Sequence, residues 1–170
     1  VPAFRKLLEA YPESELSIAG DGPLRDEVHA IVNASGIADR IRMLGSVQPV
    51  QPLYDAADVM ILASYSEGLP NVVIEAIALG CPVIVADGRG GTVGFMEELG
   101  LSDFIVRGNF IENLPAAISR LCNSSQETWQ QARARMIDKV HPASVANRFW
   151  DVLDKYSNCR AEKHDAALKG

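Results

Sequence analysis

Short apolar runs and longer segments with helical spacing alternate along most of this chain. Apolar runs bounded by glycine or proline are typical of strands buried on both faces, and apolar residues three and four positions apart indicate helices. The pattern predicts strands over residues 16–19, 41–44, 58–63, 82–86 and 104–106. It predicts helices over residues 2–10, 23–35, 49–57, 70–79, 114–122 and 126–140, and further helices that open at residues 88–92 and at Pro142.

The alternation of strands and helices predicts an α/β fold, a Rossmann-like doubly wound parallel sheet. The carboxyl ends of parallel strands meet at one edge of such a sheet, and ligands bind there. With 170 residues the chain is long enough for one domain, which we assign to residues 1–157, followed by a polar tail over residues 158–170. The residues that directly follow strands, and that we expect at the ligand edge, are Gly20, Gly45, Ser64 and Asp87.

Composition and charge narrow the class of function. A net charge of −6 gives no support for a nucleic-acid surface, which usually needs a basic face. The three cysteines are odd in number and widely spaced, so they predict neither a disulfide framework nor a C-x-x-C metal motif. Reduced thiols indicate a cytoplasmic protein. No apolar run approaches the ~20 residues of a membrane span, so we expect any membrane association to be peripheral, at the inner face.

Two glutamates separated by seven residues stand out in residues 64–76. Glu67 falls in a turn with glycine and proline, and Glu75 falls in the helix that follows. The first turn of a helix presents unpaired N–H groups and partial positive charge, so it can hold a phosphate. Ionised carboxylates accept hydrogen bonds from pairs of hydroxyls, which predicts contact of Glu67 with a sugar and of Glu75 with a ribose. The other residues predicted to form this site are Gly68, Leu69, Pro70, Asn71 and Val72.

The alternative is that Glu67 is a solvated loop residue and Glu75 a charge on the helix surface. Against this alternative, residues 72–79 are apolar nearly all round Glu75. A lone carboxylate in such surroundings costs free energy unless it has a partner. The segment therefore favours a nucleotide-sugar site, with a partner expected for Glu75.

The turn after the first strand carries further candidate contacts. Gly20 and Gly22 let the backbone approach a ligand, and Arg25 could contact a phosphate. The full G-x-G-x-x-G pattern is absent, so the signal is weak. A tight turn in which Asp21 caps the next helix is an equal alternative.

Two other loops follow predicted strands. Backbone groups of Leu44 and Gly45 could pair with the edge of a nucleobase. Residues 88–92 form either a second anion-binding nest or a flexible loop. The histidines are scattered and form no cluster at metal-ligand spacing, and no nucleophile elbow is present, so the sequence predicts no metal site.

With these residues, the chain resembles the C-terminal half of retaining glycosyltransferases of the GT-B fold, the glycosyl transferases group 1 family (family 4). The resemblance covers about residues 1–157, and the pair of glutamates is the family's signature. It implies transfer of a sugar from a nucleotide sugar to a glycan, a lipid or a small molecule, with retention at the anomeric carbon. The stretches that carry it are residues 16–25, 37–45, 53–59 and 64–85.

The resemblance also implies a role for each part of the site. Glu67, which we assign as the catalytic residue, would bind hydroxyls of the donor sugar. The backbone of residues 68–72 would hold the diphosphate, and Glu75 would bind the ribose. Gly45 and its neighbours would border the base. The leaving phosphate would assist deprotonation of the acceptor, and no metal or other cofactor is implied.

Parts of the family's architecture are expected outside this sequence. The family's first strand of this domain, with an arginine and a lysine for the phosphates, should precede residue 1, as should the whole acceptor-binding domain. The chain starts at Val1 inside a helical pattern, which indicates a longer natural protein. We expect the chain alone to bind donor weakly and not to turn over. It departs from the family at Val93 and Gly94, where proline and glutamate are usual.

Three alternatives stay open at this point. They are a GT-B nucleotide-sugar epimerase, a non-catalytic nucleotide-binding module and a dehydrogenase-type Rossmann domain. The missing G-x-G-x-x-G, and the lack of an acidic residue closing a second strand, argue against the dehydrogenase. The sequence does not choose among UDP, GDP and ADP as the donor nucleotide.

Overall fold

The computed structural model describes residues 1–68 and 70–145 of the chain. Its helices are α1 (Pro2–Ala10), α2 (Arg25–Asn33), α3 (Gln51–Ala56), α4 (Asn71–Leu79), α5 (Gly91–Glu98), α6 (Phe110–Cys122) and α7 (Gln126–Val140). Its strands are β1 (Leu16–Ala19), β2 (Ile41–Gly45), β3 (Met60–Leu62), β4 (Ser66–Glu67), β5 (Val83–Ala86), β6 (Arg89–Gly90) and β7 (Ile105–Val106). Short 3₁₀ helices cover Ala38–Arg40 and Ser102–Phe104, and residues 142–145 are also helical.

All strand pairs within the described ranges are parallel, which confirms the predicted α/β fold. One sheet has three strands in the order β3-β5-β7, and β1 pairs with β2. The two-residue strands β4 and β6 form a separate short ladder. Neighbouring parallel strands need a crossover between them, and the helices supply it.

The core is centred on β5, the middle strand of the three. Val83, Ile84 and Val85 of this strand are almost completely buried. α4 packs against β3 and β5 and buries Val73 and Ile77. Full burial of side chains of this size contributes about 1.5–3 kcal/mol each. The buried sheet therefore gives a firm base to the loops that leave β3 and β5 at their carboxyl ends.

The predicted bounds hold for several elements, namely α1, β1 and α7. α4 ends as predicted at Gly80, which adopts the left-handed conformation with φ of 84°. The strand predicted over residues 58–63 shortens to Met60–Leu62, and its residues are half-buried. The pattern of apolar residues did not predict β4 and β6, because neither has enough residues to show a period.

Several helices start later or earlier than predicted. α3 begins at Gln51 and α4 at Asn71, against predicted starts at residues 49 and 70, and α2 and α6 also differ. α2 begins at Arg25, so Pro23 lies in the preceding turn and is not the first helical residue. α6 begins at Phe110, before the predicted start at residue 114, because the side chain of Asn109 accepts hydrogen bonds from the N–H groups of its first turn. Such a cap stabilises a helix start by about 1 kcal/mol.

Parts of the predicted organisation fall beyond residue 145. The continuation of the helix from Pro142, the end of the domain assigned to residues 1–157 and the tail at residues 158–170 lie outside the described residues. These assignments stay predictions.

Candidate functional site

The β3–α4 loop (residues 63–70) is joined to the β5–α5 loop (residues 87–90) by backbone contacts. The N–H group of Arg89 donates to the carbonyl oxygen of Tyr65 at 2.7 Å. In the β4–β6 ladder, Ser66 faces Arg89 and Glu67 faces Gly90. The backbone of Glu67 is therefore held beside the second loop, at the edge where β3 and β5 end.

Two glycines permit this close approach. A Cβ atom at Gly88 would lie 2.6 Å from the carbonyl oxygen of Tyr65 and 2.8 Å from that of Ser64. A Cβ atom at Gly91 would lie 2.7 Å from the carbonyl oxygen of Gly68. Any larger residue would push the two loops apart. The segment over residues 88–92, for which the sequence left a nest or a flexible loop open, is thus a packed partner of the β3–α4 loop.

The start of α4 has the features expected of an anion site. Pro70 is the N-cap residue, so α4 begins one residue later than predicted, and Pro70 gives no side-chain cap. Asn71 and Val72 are exposed, and the first turn contains no acidic residue. The N–H groups at this end therefore carry the partial positive charge of the helix towards the loop. Leu69, also assigned to the site, lies outside the described residues.

The surroundings of Glu75 differ from the prediction. The expectation that apolar residues surround its carboxylate is wrong, because α4 turns one face to the outside. Val73, Ala76 and Ile77 fill the core, whereas Glu75 is exposed. The exposed face of α4 consists of Asn71, Val72, Glu75 and Leu79.

The partner expected for Glu75 is present and is Tyr54 of α3. The hydroxyl of Tyr54 lies 3.4 Å from Glu75 Oε2 and 3.4 Å from the carbonyl oxygen of Val72. Burial, and then the negative charge of Glu75, raise the pKa of Tyr54 to about 12. The hydroxyl is therefore protonated at neutral pH and donates to one of these two acceptors. Tyr54 was not among the predicted site residues, although a half-buried tyrosine usually needs a partner for its hydroxyl.

The β1–α2 turn (residues 20–24) forms a second group with the end of β2. The N–H group of Gly20 donates to the carbonyl oxygen of Gly45 at 2.7 Å. Both glycines have positive φ, 136° and 64°, which other residues rarely adopt. Leu44, the other residue assigned to the base, precedes Gly45 in β2. Within the described residues the candidate contacts thus fall into two groups. One hydrogen bond joins Gly20 to Gly45, and other backbone hydrogen bonds join the β3–α4 loop to the β5–α5 loop.

Charges within the β1–α2 turn satisfy one another. Asp21 Oδ1 accepts a hydrogen bond from the N–H group of Gly22 at 2.9 Å, and Arg25 Nη1 lies 3.8 Å from Asp21 Oδ2. The alternative in which Asp21 caps α2 is wrong, since the N-cap residue is Leu24 and no side chain of the described residues caps it. Arg25 is thus an exposed, ion-paired side chain at the start of α2.

A small cavity borders the two joined loops. Thr92 Oγ1 is buried and has no hydrogen-bond partner among the described residues. The cavity beside it has a volume of only about 10 Å³ and is also lined by Ser64, Gly88 and Arg89. A phosphate or a sugar does not fit into a cavity of this volume.

Neither a metal cluster nor a membrane span is found in the described part of the chain. Its histidine, cysteine and acidic residues form no group of three or more that could hold a metal ion. Cys81 and Cys122 carry free thiols. None of the helices within residues 1–145 is long and apolar enough to cross a membrane.

Comparison with known proteins gives consistent matches. The family model described as glycosyl transferases group 1 matches residues 1–124. The chain is 32% identical over 138 residues to the lipopolysaccharide core biosynthesis glycosyltransferase LpsE of Rhizobium meliloti, across 74% of this chain and 40% of LpsE. It is 32% identical over 106 residues to an uncharacterized glycosyltransferase of Methanocaldococcus jannaschii, across 62% of this chain and 26% of that protein.

The fold is also found in solved structures. HepE of Anabaena, in complex with UDP and glucose, superposes with a TM-score of 0.72 at 22% identity, across 90% of this chain and 44% of HepE. The chain thus spans less than half the length of each of these three proteins. Since the family match covers most of the chain, the chain belongs to the glycosyl transferases group 1 family, with the fold of the C-terminal domain of GT-B glycosyltransferases.

Proposed function

We propose that this chain is the donor-binding domain of a retaining glycosyltransferase, which moves a sugar from a nucleotide sugar to an acceptor. The observation that carries the proposal is the start of α4, which has no acidic residue and no side-chain cap and lies beside the joined β3–α4 and β5–α5 loops. The family match favours this activity over the epimerase and the non-catalytic module. HepE, with the same fold, binds UDP and glucose.

In this proposal the backbone from Gly68 to Val72 holds the diphosphate of the donor. Negative charge grows on that diphosphate as its bond to the sugar breaks. N–H groups and helix dipoles that already point at this position stabilise the charge without having to reorganise. The start of α4 thereby lowers the barrier as well as binding the donor.

Three further contacts complete the donor site. Glu67 accepts hydrogen bonds from hydroxyls of the sugar and fixes its orientation. Glu75, with Tyr54 donating to it, accepts hydrogen bonds from the ribose. Leu44 and Gly45 border the base, and Gly20, Gly22 and Arg25 are the remaining contacts that we assign to the donor.

The chemical step is a substitution at the anomeric carbon. The bond from this carbon to the phosphate oxygen breaks, and a bond to the acceptor oxygen forms on the same face. The acceptor hydroxyl gives its proton to the departing phosphate, so the step requires neither a covalent intermediate with the enzyme nor a metal ion. We propose that the acceptor is held mainly by the domain expected before residue 1, and that the reaction takes place in the cytoplasm.

A titration with UDP-, GDP- and ADP-glucose, followed by NMR shifts and by thermal stability, tests the proposal. We expect one of them to bind and to shift the amides of residues 68–75. Glu75→Ala should weaken binding about tenfold, because it removes charge-assisted hydrogen bonds. Glu127→Ala, which removes an exposed glutamate from α7, serves as the control and should leave binding unchanged. Equal binding by Glu75→Ala and the original chain would contradict the ribose role, and no response to any of the three would contradict the proposed function.

A further inference from the structure

A tyrosine and an arginine lie exposed together at the joined loops. Tyr65 is 72% exposed, the highest value among the large apolar side chains of the described residues. The guanidinium carbon of Arg89 lies 5.9 Å from the centre of the Tyr65 ring, within the range of a cation–π contact. The hydrogen bond between their backbones and the close fit at Gly88 fix the two residues relative to each other. We call them the Tyr65–Arg89 pair.

Arg89 differs from most arginines of this protein in its partners. In residues 1–68 and 70–145, the side chains that bind a carboxylate or a carbonyl oxygen are those of Arg5, Arg25, Arg40, Arg42, Arg107, Arg120 and Arg135. No such contact is found in these ranges for Arg89 or for Arg133 of α7. Arg89 is thus a cation without a counterion from the described side chains, in a chain whose net charge is −6.

The pair has the chemistry to bind an anion that is attached to a sugar. A guanidinium that has no carboxylate partner keeps its N–H groups free for a bidentate contact with a phosphate. The exposed part of the tyrosine ring offers an apolar face to the C–H groups of a sugar. Inorganic phosphate would use only the first of these contacts, whereas a glycosyl phosphate would use both.

The position of the pair relates it to the acceptor. In the β4–β6 ladder the Arg89 position faces Ser66, one residue before Glu67, which the proposed function assigns to the donor sugar. An acceptor hydroxyl has to come within about 3–3.5 Å of the anomeric carbon of that sugar. A group bound at Arg89 is therefore next to the backbone of Glu67 and outside the diphosphate site assigned to α4, which is the position expected for an acceptor.

We propose that the Tyr65–Arg89 pair is an acceptor subsite that takes the phosphate and the adjoining sugar ring of a phosphorylated sugar. The inference rests on the proposed function, because it takes the donor site to lie at Glu67 and α4. It adds a contact with the acceptor from the donor-binding domain and assigns an anionic class of acceptor to the enzyme.

The test is an NMR titration of the 170-residue chain with glucose 1-phosphate in the presence of a saturating nucleoside diphosphate. UDP, GDP and ADP are tried in turn. We expect glucose 1-phosphate to shift the signals of Tyr65 and Arg89 while the nucleotide stays bound. Methyl α-glucoside and inorganic phosphate, as separate probes, should each bind more weakly than glucose 1-phosphate.

Matched variants test whether the Tyr65–Arg89 pair is responsible for the binding of glucose 1-phosphate. Arg89→Met should weaken binding of glucose 1-phosphate about tenfold, since it removes the charge-assisted hydrogen bonds. Arg133→Met makes the same change of charge on α7 and should have no effect. Tyr65→Ala should weaken binding about threefold, and all three variants should keep their melting temperature, because these side chains are exposed.

The results that would contradict the acceptor subsite differ from those that would contradict the proposed function. If a nucleotide binds but glucose 1-phosphate does not, or binds only when the nucleotide is absent, the subsite is wrong and the proposed function stands. Equal losses from Arg89→Met and Arg133→Met would show a nonspecific charge effect and also contradict the subsite. Equal affinity for inorganic phosphate, with no effect of Tyr65→Ala, would contradict the sugar contact. No response to any nucleotide contradicts the proposed function and, with it, the acceptor role.

Discussion

The β3–α4 loop and the β1–α2 turn both follow a parallel strand and both lead into a helix, yet their electrostatics are opposite. The first turn of α2 contains Asp26 and Glu27, and Arg25 before them is paired with Asp21. The first turn of α4 contains no acidic residue. At α2 the helix dipole is already complemented by carboxylates of the chain, whereas at α4 it is left for an anion from outside. The two regions therefore differ mainly in the charge of the first helical turn, and less in the glycines of the loop.

The largest difference between the two regions is expected when a glycine of each is replaced by alanine. Gly88→Ala places a Cβ atom 2.6 Å from the carbonyl oxygen of Tyr65, so the β3–α4 loop has to move. We expect the free energy of unfolding to fall by about 1–3 kcal/mol and nucleotide affinity to fall at least about tenfold. Denaturant unfolding and a binding titration measure both.

Gly22→Ala is the matched change in the β1–α2 turn. A Cβ atom there meets nothing within 4 Å, and Gly22 does not have positive φ. Stability should therefore change by less than about 0.5 kcal/mol. If Gly88→Ala were as mild as Gly22→Ala, the two loops would not be held together as described.

An acid placed in the first turn of α4 would make it resemble α2. Asn71→Asp should weaken binding of a nucleoside diphosphate about fivefold, because a negative charge would face the phosphates. Stability should stay equal or rise, since an acid at a helix start is favourable in the absence of ligand. Calorimetric binding together with melting temperatures checks both signs.

The opposite change in α2 is the control for this prediction. Asp26→Asn removes an acid from the first turn of α2 and should leave nucleotide affinity unchanged. A loss of affinity there as large as the loss in Asn71→Asp would mean that the diphosphate does not lie at α4.

A smaller effect is expected at the contact between α3 and α4. Tyr54→Phe removes only the hydroxyl, which donates either to Glu75 or to the carbonyl oxygen of Val72. Both distances are 3.4 Å, long for such bonds, so we expect affinity for a nucleoside diphosphate to fall only about threefold. A double-mutant cycle with Glu75→Gln should show coupling between the two residues. Strictly additive losses would mean that Tyr54 does not act through Glu75.

The smallest effect concerns alkaline pH. Burial and the charge of Glu75 raise the pKa of Tyr54 from 10.0 to about 12, so the neutral hydroxyl is favoured in the folded state. Its contribution to stability is complete below pH 10 and is lost as the pH rises towards 12. The free energy of unfolding should therefore fall more steeply over this range in the original chain than in Tyr54→Phe. Equal slopes would place the hydroxyl in solvent.

The buried part of the fold could be predicted from the sequence because it depends on local patterns. The apolar run of β5 and the glycine after α4 specify a strand and a helix end without reference to the rest of the chain. The β4–β6 ladder could not be predicted, because its strands have two residues each and are held by a pairing between distant segments.

The candidate site was predictable in its position but not in its exposure. The pair of glutamates and the start of a helix are visible in the sequence, whereas the covered face of a mostly apolar helix depends on its neighbours. Glu75 is exposed beside Val72 and Leu79, although the same helix buries Val73 and Ile77 in the core. Tyr54 was missed for the same reason, since its contact with Glu75 joins residues that are 21 positions apart.

The fit of Gly88 and Gly91 against neighbouring carbonyl oxygens has a consequence for protein engineering. Backbone atoms alone set the spacing of the two loops, so the side chains at positions 65 and 89 can be exchanged without disturbing it. A library randomised at these two positions, with both glycines retained, should yield folded variants. Given the proposed donor and acceptor sites, these variants should bind the same nucleotide and differ in the phosphorylated sugars that they bind.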